Sequence, residues 1–258
     1  MPTVAELTEP YGNFMLGPRP GPGVCRTCFT FTDGYARCYA CAHIEQALDA
    51  MSPISYSVAL EQLHHVLRVY KRVSGRVGRQ LSMQLAAVLW RFLSEHEPCL
   101  ARVAGTPSFQ LVAAVPSGHR ERDDGHPLRW IVGEVAAPTR DRHRRLLSRS
   151  EVPVTAREFH REKYLAEEEV AGQSVLLIDD TWTTGANLQS AAAALKAAGA
   201  GPVGAVVIGR HLNPEWGENV RRLRELPRPF DWSCCAHCSA SRDAHDHRDL
   251  GRTVLEQP

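Results

Sequence analysis

Apolar residues follow two rhythms along this chain. "LVAAV" (Leu111 to Val115), "VLLI" (Val175 to Ile178) and "VGAVVIG" (203–209) are short unbroken runs, the pattern of strands buried on both faces. "ISYSVAL" (Ile54 to Leu60) alternates well enough to predict another strand, and "RLLS" near Leu146 a further one. Elsewhere the spacing is helical. Leu81, Leu85, Val88, Leu89 and Phe92 share one face of a helix that starts near Gly78 and ends near His96 and Pro98. Leu128, Ile131, Val132 and Val135 form a second such face. A third helix is predicted over Asn187 to Ala198, with Gly199 placed to close it.

Strands alternating with amphipathic helices predict an α/β layer built on a parallel sheet. The expected organisation has three parts. Residues 1–45 hold a lead-in, "GPRPGPGVCR" after Leu16, which reads as flexible, and a cysteine module. Residues 46–210 form the α/β domain, and 211–258 a tail containing cysteines and histidines. Residues 150–171 are polar and poorly periodic. They read either as a mobile cover, with Arg157, His160, Arg161 and Lys163 as closing charges, or as an exposed helix in "REKYLAEEE" held by its own charge pairs.

Composition changes this picture little. The 258 residues are 43% hydrophobic and 23% charged, ordinary values for a chain with a sizeable core. Thirty basic residues against 29 acidic ones leave a net charge of +1, so no overall field attracts nucleic acid or an anionic membrane. Two local basic clusters, Lys71, Arg72, Arg76, Arg79 and Arg140, Arg142, Arg144, Arg145, read as solvated faces or as contacts to an anion. With no run of about 18 apolar residues and no secretory signature, the expectation is a cytoplasmic protein without a membrane partner. There, eight cysteines point to metal or redox chemistry before disulfides.

The densest chemistry lies in "VLLIDDTWTTGAN", Val175 to Asn187. In a parallel sheet, ligands gather beyond the carboxyl ends of strands, where Asp179 and Asp180 fall. Thr183, Thr184 and Gly185 turn the chain into the next helix, whose first N–H groups and partial positive charge suit a phosphate. Ionised carboxylates only accept hydrogen bonds, which suits sugar hydroxyls or a hydrated Mg²⁺. Donors beside acceptors describe a phosphorylated ribose.

"CRTCFTFTDGYARCYAC" sets Cys25 and Cys28 two residues apart, then Cys38 and Cys41 two apart. Two such knuckles predict a tetrahedral Zn²⁺ site, which with four thiolates has no open position and a structural role. Cys99 reads as a small buried hydrophobe. In the tail, Cys235 and Cys238, with His245 and His247, are candidates for a second metal, against a polar end without one.

The segment Val175 to Asn187 resembles the PRPP-binding signature of type I phosphoribosyltransferases. The cysteine module ahead of it, with "LRVYKRVSG" (Leu67 to Gly75), resembles the ComF family of competence-associated phosphoribosyltransferase-like proteins. The resemblance covers roughly Cys25 to Gly209 and implies a type I phosphoribosyltransferase fold behind a small zinc ribbon. It also implies Mg²⁺-dependent binding of PRPP and transfer of its 5-phosphoribosyl group to a nitrogen nucleophile with release of pyrophosphate. Asp179 and Asp180 would hold the ribose hydroxyls as the catalytic pair. Thr181 would belong to the same site, and Thr183, Thr184, Gly185, Ala186 and Asn187 would wrap the 5′-phosphate. Asn187 departs from the family's usual threonine or serine. The pyrophosphate loop would fall on Ser117, Gly118, His119 and Arg120, but "RDDGHPL" replaces the family's usual arginine, glycine, phenylalanine and asparagine run. Two other roles remain open: a non-catalytic PRPP-binding sensor or scaffold linked to DNA uptake or nucleotide metabolism, and a nucleic-acid module. The acceptor has no recognisable signature.

Overall fold

The computed structural model describes residues 2–117, 125–155 and 157–238. Its centre is a four-stranded, wholly parallel sheet of β1 (Ala50–Val58), β2 (Leu111–Ala114), β5 (Val175–Trp182) and β6 (Val203–Leu212), in the order β1-β6-β5-β2. Two short strands, β3 (Leu147–Arg149) and β4 (Tyr164–Ala166), pair antiparallel beside it. The helices are α1 (Val4–Thr8), α2 (Tyr39–His43), α3 (Gln62–Val69), α4 (Gly75–Ala104), α5 (Pro127–Trp130), α6 (Ala137–Arg140), α7 (Ala186–Ala197) and α8 (Asn219–Arg224). The molecule is therefore α/β, with helices on both faces of a parallel sheet.

Side chains alternate along the central strands and divide the interior in two. Leu176 and Ile178 of β5 face a core shared with Leu85, Leu89 and Phe92 of α4. Val175 and Leu177 face the other core, with Leu188, Ala191 and Leu195 of α7. The alanine-rich face of α7 lets the helix lie close to the sheet, and its crossover links β5 to its parallel neighbour β6.

Several elements depart from their predicted bounds. The helix expected to end near Pro98 runs on to Ala104, where Gly105 closes it at φ 78°. Proline removes one helical hydrogen bond, but burial of Leu100, Ala101 and Ala104 beyond it holds the last turns. The strand expected from Ile54 begins at Ala50 and includes Pro53, which β1 tolerates as the outer strand next to β6. The helix face at 128–135 is α5 followed by a π-helical turn over Ile131–Val135. "REKYLAEEE" contains β4, so the exposed-helix alternative is overturned: Tyr164 is buried, and its backbone pairs with Arg149.

The lead-in is fastened at both ends. The Leu16 N–H donates to Ser55 Oγ at 2.8 Å, and the Tyr56 N–H donates to the Leu16 carbonyl at 2.8 Å, covering the outer edge of β1. Further along, the Arg222 guanidinium donates to the carbonyls of Pro22 and Gly23. Among the described residues, no helix is long and apolar enough to cross a membrane.

Candidate functional site

Regular pairing of β5 continues past its apolar run, with Asp179 opposite Val207 and Thr181 opposite Gly209. The strand's period of two therefore still applies at the aspartates and sends their side chains to opposite faces. The expectation of both carboxylates around one ribose does not match this geometry. Asp179 stays partly exposed on the α7 side, at the edge of a pocket that also takes in Thr181 and the turn Trp182 to Leu188. Asp180 is 4% exposed and turns toward α3 and α4. There its Oδ2 accepts from the Tyr70 hydroxyl at 2.5 Å and from Lys71 Nζ at 2.5 Å.

The electrostatics divide in the same way. Burial pushes the Asp179 carboxyl up to about 7, and the neighbouring Asp180 charge adds to the shift. Burial also opposes ionisation of Asp180, but the Lys71 ammonium and the Tyr70 hydroxyl outweigh it and hold that carboxyl below its ordinary range. Burial, with Asp180 next, pushes the Tyr70 phenol well up, so it remains a donor. The pair thus comprises one carboxylate already compensated and one poised near neutrality.

The turn after β5 is shaped by Gly185, at φ 90°. A Cβ there would lie 2.2 Å from Cζ2 of Trp182, so any larger residue is strained by the dihedral and forces the indole to shift. Trp182 is 2% exposed, lines the pocket, and has an indole N–H with no hydrogen-bond partner among the described residues. The first helical bond of α7 joins the Gln189 N–H to the Gly185 carbonyl at 2.9 Å. The N–H groups of Asn187 and Leu188 precede it and lie in the unsatisfied first turn. Ala186 N–H makes a long contact to Thr184 Oγ1 at 3.4 Å, while Thr183 is exposed.

Chain 157–160 crosses the start of α7. Thr184 Oγ1 donates to the Arg157 carbonyl at 3.2 Å, and the His160 N–H donates to Ser190 Oγ at 3.0 Å. Lys163 of the same segment is buried rather than presented to solvent, and burial lowers its pKa to about 8. β2 leaves the sheet beside β5, with Ala114 opposite Ile178, so Ser117 emerges from the same edge as Asp179. Gly118, His119 and Arg120 lie outside the described residues.

The four ribbon cysteines come together. Sγ atoms of Cys25, Cys28, Cys38 and Cys41 all lie within 4.8 Å of one another, a donor set that could hold a metal such as zinc. Phe29, at φ 58°, turns the first knuckle; Cys38 caps α2, which carries Cys41 one turn later. Hydrogen bonds from Cys28, then Cys38 and Cys41, hold the Cys25 thiol well below its ordinary range. The cluster is seated on the sheet through Arg210 of β6. Its Nε donates to the Cys28 carbonyl at 3.1 Å, Nη2 to Cys28 Sγ at 3.4 Å, and Nη1 to the Trp182 carbonyl at 3.2 Å.

Cys235 and Cys238 also enter a four-donor cluster, but with His96 and Cys99 of α4. His245 and His247 lie outside the described residues. Sequence reasoning missed this pairing, although His96 and Cys99 stand three apart on a helix and must share a face. It also missed Lys71 as the partner of Asp180, and Arg142 as a structural residue. The Arg142 guanidinium holds Glu97 through two bonds of 2.6 and 2.8 Å and donates to the carbonyls of Phe109 and Pro138. No protein-family model matches this chain, and no curated protein matches it.

Proposed function

We propose that the β5–α7 turn binds a phosphorylated ribose, with Mg²⁺-PRPP as the ligand, and that the domain has the type I phosphoribosyltransferase fold of the ComF-like family. The observation that carries this reading is the pocket in which Asp179, an acceptor, stands beside the open first turn of α7. Phosphate oxygens would accept from the N–H groups of Asn187 and Leu188, from the Thr183 hydroxyl and from the otherwise unpartnered Trp182 indole. Asp179 would accept from a ribose hydroxyl. Thr181 lines the same pocket. Asp180, engaged by Tyr70 and Lys71, faces the other way and fixes the strand end that presents Asp179.

In the enzymatic form of this reading the bond from ribose C1 to pyrophosphate breaks, a bond from C1 to the acceptor nitrogen forms, and that nitrogen loses its proton to solvent. Mg²⁺ would supply charge neutralisation for the departing pyrophosphate. The chain would contribute orientation, and its 157–160 segment, bonded to Thr184 and Ser190, would exclude water above the turn. A non-catalytic PRPP sensor is the second reading. It is favoured by "RDDGHPL", whose acids replace the donors that a pyrophosphate loop needs.

Titration calorimetry with PRPP and Mg²⁺ tests the binding site. Saturable heat is expected for the wild type and its loss in Asp179→Asn; absence of heat from the wild type overturns both readings. Release of pyrophosphate across a panel of bases and amines then separates enzyme from sensor.

A further inference from the structure

We propose that His96, Cys99, Cys235 and Cys238 form a second zinc site, which ties the segment after α8 to the long helix α4. The four donor atoms all lie within 4.8 Å of one another, and His96 Nδ1 lies 3.9 Å from Cys238 Sγ. Zn–S bonds of about 2.3 Å in a tetrahedron put sulfurs about 3.8 Å apart, so the donors need only small shifts to close on an ion.

Hydrogen bonds orient three of the four donors. His96 is 4% exposed, and its Nε2 lies 2.7 Å from the Trp232 carbonyl. A carbonyl only accepts, so Nε2 carries the proton and Nδ1 presents its lone pair to the cysteines. This is how ligating histidines are usually oriented. Cys235 Sγ accepts from the N–H groups of His237 and Cys238 at 3.4 Å each, and the Cys235 N–H donates to Cys238 Sγ at 2.9 Å. Metal entry would release the three thiol protons to solvent and leave a neutral imidazole and three thiolates around the ion.

Location gives the site its task. The described residues after α8 have little regular structure, and their contacts to the rest of the chain include the Phe230 N–H to the Gly12 carbonyl and His237 Nε2 3.0 Å from the Met51 carbonyl. A metal joining positions 96 and 99 to 235 and 238 closes a long loop, where a cross-link restricts the unfolded chain most. Four protein ligands leave no open position, so the site is structural.

Zinc measured on the purified full-length chain decides the matter. About two ions per chain are expected, one at each cluster, with about one in His96→Ala/Cys99→Ser and about one in Cys235→Ser/Cys238→Ser. Cobalt substituted into Cys25→Ser/Cys28→Ser should retain the tetrahedral absorption of a three-sulfur, one-nitrogen site, and His96→Ala should alter it. If the ribbon variant fails to fold, the other two variants, with the ribbon intact, still give the count. One zinc in the wild type, unchanged zinc in both tail-site variants, or a Cys235–Cys238 disulfide on thiol titration would each overturn the site.

Discussion

The Tyr70 hydroxyl and the Asp180 carboxylate meet at 2.5 Å across 110 positions of chain, on the same oxygen that Lys71 holds. This contact joins the end of α3 to the end of β5 and fixes which of two adjacent acids remains accessible. Its removal should cost stability before it costs chemistry. Tyr70→Phe leaves a buried anion short of one donor, and a loss of roughly 2 kcal/mol is expected in urea unfolding at pH 7. Asp180 is held below its ordinary pKa, so its contribution is full above about pH 4 and disappears as pH falls through the lower folded value. Equal losses in Tyr70→Phe at pH 7 and pH 2 would contradict this account.

Asp179 should behave in the opposite sense. Its folded pKa is raised to about 7, so the fold loses stability as pH rises from the ordinary carboxylate value toward 7. Asp179→Asn should therefore raise the urea midpoint at pH 8 and gain progressively less as pH falls toward 4. Ligand binding should run against stability. An acceptor carboxylate is needed, so affinity for Mg²⁺-PRPP should rise as pH passes through about 7 in the wild type. Calorimetry at pH 6 and pH 8 reads this directly.

Gly185→Ala is expected to unfold more easily by roughly 1–3 kcal/mol from backbone strain, with further cost from the clash with Trp182. Because that clash is with one side chain, Trp182→Ala in the same protein should recover part of the loss. A double-mutant cycle with additive effects would show that the indole does not set the turn.

Arg210 supports the ribbon from outside. Arg210→Met removes the donors to Cys28 Sγ and to the Cys28 and Trp182 carbonyls, leaving the four thiols in place. Zinc should still bind, but with affinity lower by about 10- to 100-fold, read by competition with a chromogenic chelator. Unchanged affinity would confine Arg210 to packing.

Local pattern carried the sheet. Val175 to Ile178 and 203–209 are apolar on every position because helices cover both faces, and a buried strand has no other way to be written. The cysteine spacing likewise brought four sulfurs together, since each knuckle is a short-range turn. The glycine turn was legible for the same reason: its dihedral and its position ahead of a helix are local properties.

Tertiary structure decided the rest. Adjacent aspartates look equivalent in a sequence, and only the packing of α3 and α4 on one face and α7 on the other makes one a compensated anchor and the other an open acceptor. Pro98 reads as a helix end because its own hydrogen bond is lost, yet the core beyond it holds the helix. His96 and Cys99 carry no visible link to Cys235 and Cys238, because donors so far apart in the chain become neighbours only when the tail docks on α4. Short-range energetics wrote the elements, and long-range packing chose which charges and thiols would face one another.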